Sequence, residues 1–195
     1  MKLALTPARW GALIAVLAVV LLVVFRPWVT TPLDADGKAI VGPQAFDAAT
    51  FVGKVWSDQL PAKLDAAVPV AQAGSTAAFV KGEGLVMKVD TTSRVGFALV
   101  DVDLPDGKAD VTLALGPVIV GSDLRDALGL AFADFDTQVD YANVGADLNR
   151  RALAASPLLA EPQALEGKRI TFIGAGAKTG KGDVRVTPVR LTLLP

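Results

Sequence analysis

The feature that most restricts the fold of this chain is a long region of alternating apolar and polar residues, from Ala78 to Val120. Successive side chains of a β-strand point to opposite faces, so this alternation predicts strands with one buried face. The segment LPDGK, which has Pro and Asp-Gly in sequence, predicts a tight turn, and DTTSR predicts a loop. We therefore expect three consecutive strands: about Gly82 to Asp90, Val95 to Asp103, and Ala109 to Val120.

Two further strands are predicted at the end of the chain, in KRITFIGAGA and DVRVTPVRLTLL, after helices at about 122–155. Ser122 or Asp123 is expected to cap the first of these helices. Pro188 within the last strand indicates an edge strand or a β-bulge. The order β-β-β-α-β-β is that of a five-stranded OB-type barrel. We therefore predict a β-rich α+β domain over 74–195, with a short helical segment, capped by Asp47, over 44–73.

An apolar run from Gly11 to Phe25 precedes this domain and contains no polar side chain. As a helix that includes Trp10 it would be about 24 Å long, slightly less than the ~30 Å hydrocarbon core of a bilayer. Flanking tryptophans and a snorkelling Arg26 can supply the difference. We predict a membrane anchor over 1–28 and a linker over 29–43. The alternatives are a cleaved signal peptide, which lacks a small-x-small site here, and a buried soluble helix.

The basic residues before the apolar run, Lys2 and Arg9, predict a cytoplasmic N-terminus by the positive-inside rule. The chain is then a single-pass protein of the inner membrane with its main domain in the periplasm, or a periplasmic protein if the leader is cleaved. The inner membrane is thus an expected partner.

Charge and composition exclude several kinds of function. All 20 acidic residues follow Arg26, against 16 of the 19 basic ones, so the exported part is acidic and unsuited to binding nucleic acid. The chain has no cysteine and no histidine, which removes thiol chemistry, the commonest general base and His-based metal sites. We expect no metal, no cofactor and no enzymatic activity.

The stretch ITFIGAGAKTGKGD, from Ile170 to Asp183, superficially resembles a phosphate-binding loop. Its glycine spacing is too short, Gly182 occupies the position of the required Ser or Thr, and a strand follows where a helix is needed. It is then either a hairpin connection or a ligand-contacting loop. In OB folds this loop and the loop between the first two strands frame the binding face. The second interpretation places these candidates at the two rims: Lys178 and Lys181, and Thr91, Ser93 and Arg94.

The predicted helices carry further polar candidates. Arg125 either simply lies in the first turn of a helix or binds a ligand. Gln138, Tyr141 and Asn149 lie on the longer helix, where they either cap the barrel or contact a ligand. The aspartates around Pro105 suggest calcium at first, but they lack the EF-hand spacing and its closing Glu, so turn chemistry explains them.

Several motifs occur in an order that resembles the DUF2291 family of predicted periplasmic lipoproteins, between about Phe46 and Leu193. They are FVGKVWSDQLPAKL, FVKGEG, VDTTSRVG, DGKADVTLALGPVIVGSDLRDAL, FDTQVDYANVGADLN and VTPVRL. The resemblance implies an envelope protein of unestablished activity, in a family often encoded beside sugar ABC-transporter components. The family's name implies a lipidated cysteine, which this sequence lacks.

Three functional hypotheses remain. The leading one is a non-enzymatic, membrane-anchored periplasmic protein that binds a partner protein or a small sugar-like ligand and assists a sugar ABC transporter. The second is a carboxylate-dependent hydrolase of envelope glycans, which needs two acids facing one cleft. The third is a purely structural envelope scaffold, for which a large exposed apolar patch without a pocket would be typical.

Overall fold

The computed structural model describes residues 46–102 and 106–195. The helices are α1 (Ala48–Asp58), α2 (Leu60–Asp65), α3 (Asp123–Ala127) and α4 (Gln138–Ala155). The strands are β1 (Val68–Pro69), β2 (Ala78–Asp90), β3 (Val95–Val102), β4 (Val111–Pro117), β5 (Arg169–Lys178) and β6 (Val184–Leu193). Short 3-10 turns lie between several of these elements, including Phe132–Asp134, Pro157–Ala160 and Pro162–Leu165.

Strands β2 to β6 form a closed barrel. Their order is β2-β3-β4-β6-β5, and β5 pairs again with β2. The β4–β6 pair is parallel and the other neighbours are antiparallel. Helices α3 and α4 follow the third strand of this barrel and precede the fourth, as in an OB fold. The prediction of a five-stranded OB-like barrel with inserted helices is therefore confirmed.

Strand β2 is longer than predicted because it pairs with two neighbours. Its first part, from Ala78 to Leu85, pairs with β5, and its second part, from Gly84 to Asp90, pairs with β3. At Gly84, where the two pairings overlap, a Cβ atom would collide with the carbonyl oxygen of Asp101. The glycine therefore permits the close approach of the β2 and β3 backbones at this position.

Because successive side chains of each strand point to opposite faces, the apolar residues form two clusters, one inside the barrel and one outside it. The barrel interior is filled by apolar residues that are almost wholly inaccessible, among them Val86, Val100, Val111, Leu113, Ile170, Phe172 and Val186. The second cluster lies outside the barrel, where helices pack on β5 and β6; it includes Val52, Leu124, Val144, Leu148, Ala175 and Val189. Helices α3 and α4 thus cover one side of the barrel, and α1 packs on α4.

The predicted N-terminal cap is present in α1 and differs from the prediction in α3. Asp47 caps α1 as predicted, because its Oδ1 accepts hydrogen bonds from the backbone N–H groups of Ala49 (3.0 Å) and Thr50 (3.2 Å). Ser122 occupies the N-cap position of α3, but no side-chain capping bond forms there. Its hydroxyl instead donates to Asp126 at 2.7 Å. Of the two residues predicted to cap α3, Ser122 thus occupies the N-cap position without the expected side-chain capping bond, and Asp123 is the first residue of the helix.

The proline in β6 marks a bulge. Gly174 pairs with Pro188 and Ile173 pairs with Arg190, so Val189 is an additional residue on β6. The extra residue shifts the alternation: Val186 and Leu191 both belong to the barrel interior, whereas Val189 belongs to the outer cluster. Because β6 pairs with both β4 and β5, it is not an edge strand.

Over residues 46–102 and 106–195, none of the helices combines the length and the apolar character that crossing a bilayer requires. The membrane anchor predicted for 1–28 and the linker predicted for 29–43 lie outside the described residues.

Because the backbones of β5 and β6 are in close contact, we expect that adding one methyl group between them lowers the free energy of unfolding. Replacing Gly174 by Ala should lower the free energy of unfolding by about 1–3 kcal/mol, since a Cβ atom there would collide with the carbonyl oxygen of Thr187. Gly180→Ala is the matched control, because a Cβ atom at Gly180 meets nothing within 4 Å. Denaturant unfolding of both variants measures the difference, and equal stabilities would contradict the described strand pairing.

Candidate binding cleft

A cleft of about 1000 Å³ lies at one end of the barrel. The end of β4, the last turn of α4 and the two 3-10 turns that follow α4 enclose it. Its lining is dominated by aliphatic and small side chains, with a few polar ones: Thr91, Leu115, Gly116, Pro117, Arg150, Leu153, Ala154, Ser156, Pro157, Leu159, Ala160, Glu161, Pro162, Gln163 and Ala164. A volume of this size is typical of small-molecule sites.

The first wall depends on a glycine at the end of β4. Gly116 has a φ of +78°, which L-residues with side chains rarely adopt. A Cβ atom there would also lie 2.9 Å from Cδ2 of Leu153. The glycine therefore lets α4 approach the strand end closely. The neighbouring β2–β3 loop is held to the same end, because the N–H of Val118 donates to the carbonyl oxygen of Arg94 at 2.9 Å.

The opposite wall of the cleft, formed by the end of α4 and the two 3-10 turns after it, is attached to the barrel at three points. The buried Ser156 hydroxyl donates to the carbonyl oxygen of Val189 at 3.2 Å, which joins the end of α4 to β6. The side chain of Leu165 belongs to the barrel interior. The carboxylate of Glu166 accepts a hydrogen bond from the N–H of Val89 at 2.9 Å. The turns between these points start at prolines, Pro157 and Pro162, whose fixed φ limits their freedom.

The polar groups of the cleft are concentrated at its margin. The Nε2 of Gln163 donates to the hydroxyl of Thr91 at 2.6 Å and so bridges the two walls. Arg150 pairs with the carboxylate of Asp147, and its side chain is 73% exposed. The remaining charged lining residue is Glu161, which is exposed. An aliphatic floor with hydrogen-bonding groups at the rim suits a ligand that has an apolar body and a polar end.

Of the candidates from the β2–β3 loop, Thr91 lines this cleft. Ser93 closes its own loop, since its hydroxyl donates to the carbonyl oxygen of Val95 at 3.0 Å. Arg94 is exposed in the same loop.

The candidates from the β5–β6 loop lie elsewhere. Lys178 ends β5, and its N–H donates to the carbonyl oxygen of Gly74 at 2.7 Å. It lines a different cavity, of about 220 Å³, together with Asp110 and Gly182. Lys181 is exposed in the turn itself. The β2–β3 loop and the β5–β6 loop, predicted to frame one binding face, thus contribute residues to two different cavities.

The glycine and lysine stretch is a hairpin connection. β5 runs through most of it, and the turn leads directly into β6, which pairs antiparallel with β5. Asp183 holds the turn: its carboxylate accepts hydrogen bonds from the hydroxyls of Thr179 and of Thr112, the latter at 3.1 Å. These bonds, first that of Thr179, lower the pKa of Asp183 below its ordinary value. The predicted hairpin connection between β5 and β6 is therefore present.

None of the four helical candidates lines the cleft, and three of them form internal contacts. The guanidinium of Arg125 stacks on the ring of Tyr141, 3.6 Å from its centroid, and pairs with Asp126 at 3.1 Å. The buried amide of Asn149 donates to the carbonyl oxygen of Gly121 at 3.0 Å. Gln138 is exposed in the first turn of α4. The structure thus brings Arg125 and Tyr141 together and separates both from Thr91.

Burial changes the pKa of a carboxylate near these candidates, that of Asp123. Asp123, the first residue of α3, lies 3.5 Å from a guanidinium nitrogen of Arg185. Desolvation nevertheless raises the pKa of Asp123, an effect that this attraction to Arg185 opposes.

Sequence reasoning missed most of the cleft. Leu115, Leu153 and Leu159 have no chemical signature beyond being aliphatic, and the turns that position Glu161 and Gln163 are irregular. The available signal was the pair of prolines, Pro157 and Pro162, which indicated the end of α4 but not the path of the chain after it.

Comparison with known proteins supports the family and the fold. A family model described as predicted periplasmic lipoprotein (DUF2291) matches residues 70–192. An OB-fold protein from Thermotoga maritima is 15% identical, with a TM-score of 0.53 over 77% of this chain and 100% of that chain. Two OBodies bound to hen egg-white lysozyme have TM-scores of 0.38 and 0.32 at 14% and 17% identity, covering 66% and 65% of this chain and 88% of each of theirs. No curated protein matches the chain.

The hydrogen bonds of Asp183 predict a pH-dependent contribution to stability. At neutral pH, Asp183→Ala should lower the free energy of unfolding by about 1 kcal/mol. Because its pKa is lowered in the folded state, this contribution is fully present above the ordinary value of 3.8 and is lost as the pH falls through the folded pKa. The difference between wild type and variant should therefore shrink on acidification.

Chemical denaturation at neutral pH and below pH 3.8 checks this. Asp65→Ala, which removes an exposed carboxylate at the end of α2, should leave the free energy of unfolding nearly unchanged at both. A wild-type advantage over Asp183→Ala that stays constant with pH would contradict the assigned role.

Proposed function

The chain belongs to the DUF2291 family of predicted periplasmic lipoproteins, and from that premise we propose that it is a non-enzymatic periplasmic binding protein. The observation that carries the proposal is the cleft of about 1000 Å³ between the barrel end and α4. The cleft is concave, aliphatic in its interior and polar at its margin, as small-molecule sites are. The family description gives a location and no activity, so the ligand is inferred from the cleft.

The cleft favours a ligand with more apolar surface than a free sugar. Its lining consists of aliphatic and small residues such as Leu115, Pro117 and Leu153, without an aromatic ring among the described lining residues. The hydrogen-bonding groups that remain at the margin are few, and Thr91 and Gln163 are already bonded to each other. A sugar derivative with an apolar substituent, or another compound with an apolar body and one polar end, fits this distribution.

The proposed role is accessory to uptake. A periplasmic protein that holds a small molecule can present it to a transporter of the inner membrane, and the family resemblance implies sugar ABC transporters as candidates. The membrane anchor expected over residues 1–28 would keep the domain close to such a transporter. Both the transporter and the anchor are part of the proposal.

The alternative of a glycan hydrolase has less support. Two-carboxylate hydrolysis requires a pair of acids about 5–10 Å apart across one cleft. Among the described residues that line the cleft, Glu161 is the single carboxylate. Asp123 and Asp126 belong to the ion pairs of α3, with Arg185 and Arg125, outside the cleft. The lining therefore supports binding over catalysis.

Filling the cleft tests the proposal. In a thermal-shift screen of the protein against free sugars, alkyl glycosides and small amphiphiles, we expect stabilisation by members of the last two classes. Ala154→Trp should reduce that stabilisation at least fivefold, because Ala154 lines the cleft. Ala146→Trp, at an exposed position two turns earlier on the same helix, is the control and should retain it.

Two results would contradict the proposal. One is stabilisation that is equal in the Ala154→Trp and Ala146→Trp variants, since the ligand would then bind elsewhere. The other is an absence of stabilisation by every compound class in the wild-type protein. A glycan-cleaving activity in the same preparations, lost on Glu161→Gln, would favour the hydrolase instead.

A further inference from the structure

A second surface, separate from the cleft, consists of five clustered aromatic rings: Phe46, Phe51, Phe132, Phe135 and Tyr141, called here the aromatic patch. Neighbouring ring centroids are 5.4 to 5.7 Å apart, and the Phe46, Phe51 and Phe135 rings contact one another pairwise. Within the described chain these rings come from three elements: the start of α1, the turn after α3 and the first turn of α4.

One side of the aromatic patch packs against the protein, and the other side is exposed. Phe51 and Phe135 pack against the outer apolar cluster. The guanidinium of Arg125 stacks on Tyr141, and its charge is balanced by Asp126. Phe46 and Phe132 remain 38% and 52% exposed, and Val139, in the first turn of α4, is 65% exposed. Exposed aromatic side chains in one group are typical of interaction surfaces.

The margin of the patch is acidic. Four aspartates adjoin its rings in sequence: Asp47, Asp134, Asp136 and Asp140. The carboxylates of Asp47, Asp134 and Asp140 accept local hydrogen bonds from backbone N–H or hydroxyl groups, which hold them in place. Asp136 is exposed. The patch therefore combines an apolar centre with a negatively charged rim.

We propose that the aromatic patch is the docking surface for a partner protein whose contact surface has an apolar centre ringed by lysines and arginines. Protein interfaces place aromatic residues in the centre and polar residues at the rim, and complementary charge guides the encounter. A bilayer is the less suitable occupant, because anionic lipid headgroups would be repelled by the four aspartates. None of the patch residues lines the cleft, so this surface is independent of the proposed ligand site.

The test uses the full chain in its native cells, with the photoreactive analogue p-benzoylphenylalanine in place of Phe132. A second protein carries it at Val120, an exposed apolar residue (60%) that does not belong to the patch. We expect at least tenfold more crosslinked protein from position 132, with the partner's crosslinked peptide lying on an apolar surface flanked by basic residues. Adding Asp136→Lys should reduce the crosslink at least fivefold. Asp65→Lys, a charge reversal at an exposed site outside the patch, should not.

Several outcomes would overturn the proposal. Crosslinks to phospholipid alone would assign the patch to a membrane surface. Crosslinks to residues 1–45 of the same molecule, or to a second copy, would show that the chain covers the patch itself. A protein crosslink that is insensitive to Asp136→Lys, or that maps to a surface without basic residues, would remove the electrostatic argument. A yield no greater than at Val120 would remove the docking surface altogether.

Discussion

The double pairing of β2 is the interaction on which the rest of this structure depends. One strand pairs with β5 over its first part and with β3 over its second, and Gly84 belongs to both pairings. This closes the barrel and removes its open edges, so the interior can be filled by apolar side chains. Because the chain leaves β4 at Pro117, the inserted helices return across the outside of β5 and β6, and the turns after α4 meet the exit point of β4.

Helix α4 connects the two surfaces to which functions are assigned. Its 18 residues correspond to a length of about 27 Å. Tyr141 in the first turn belongs to the aromatic patch, whereas Leu153 and Ala154 in the last turn line the cleft. Between them Val144 and Leu148 are wholly buried against the barrel side. Arg151 joins this helix to α1, since its guanidinium pairs with Asp147 and donates to the carbonyl oxygen of Ala49. A ligand in the cleft and a partner on the patch would thus contact opposite ends of one rigid helix.

The barrel was predictable because its signals are local. Alternation and turn residues mark each strand, and the strand-helix order restricts the topology to an OB-type barrel. Pro188 indicated an edge strand or a bulge, because a proline cannot donate to a strand pairing; the bulge is present, with Val189 as the extra residue. The cleft was not predictable in the same way. Its walls come from positions distant in sequence, such as Thr91 and Gln163, that are joined by side-chain contacts without any periodic pattern. Arg125 and Tyr141 were recognised as polar candidates. Their stacking, by which Arg125 supports the aromatic patch, was not predictable, because it depends on the irregular turn between α3 and α4.

The central claim is that the aliphatic cleft is a binding site in a periplasmic protein. Amide hydrogen exchange of the protein, with and without the small-molecule fraction of the periplasm of its source cells, measures this most directly. If a ligand occupies the cleft, exchange should slow in the two turns over residues 157–165 and at the end of β4, with the β5–β6 turn unaffected. Unchanged exchange in all of these segments, or slowing confined to the β5–β6 turn, would contradict the account.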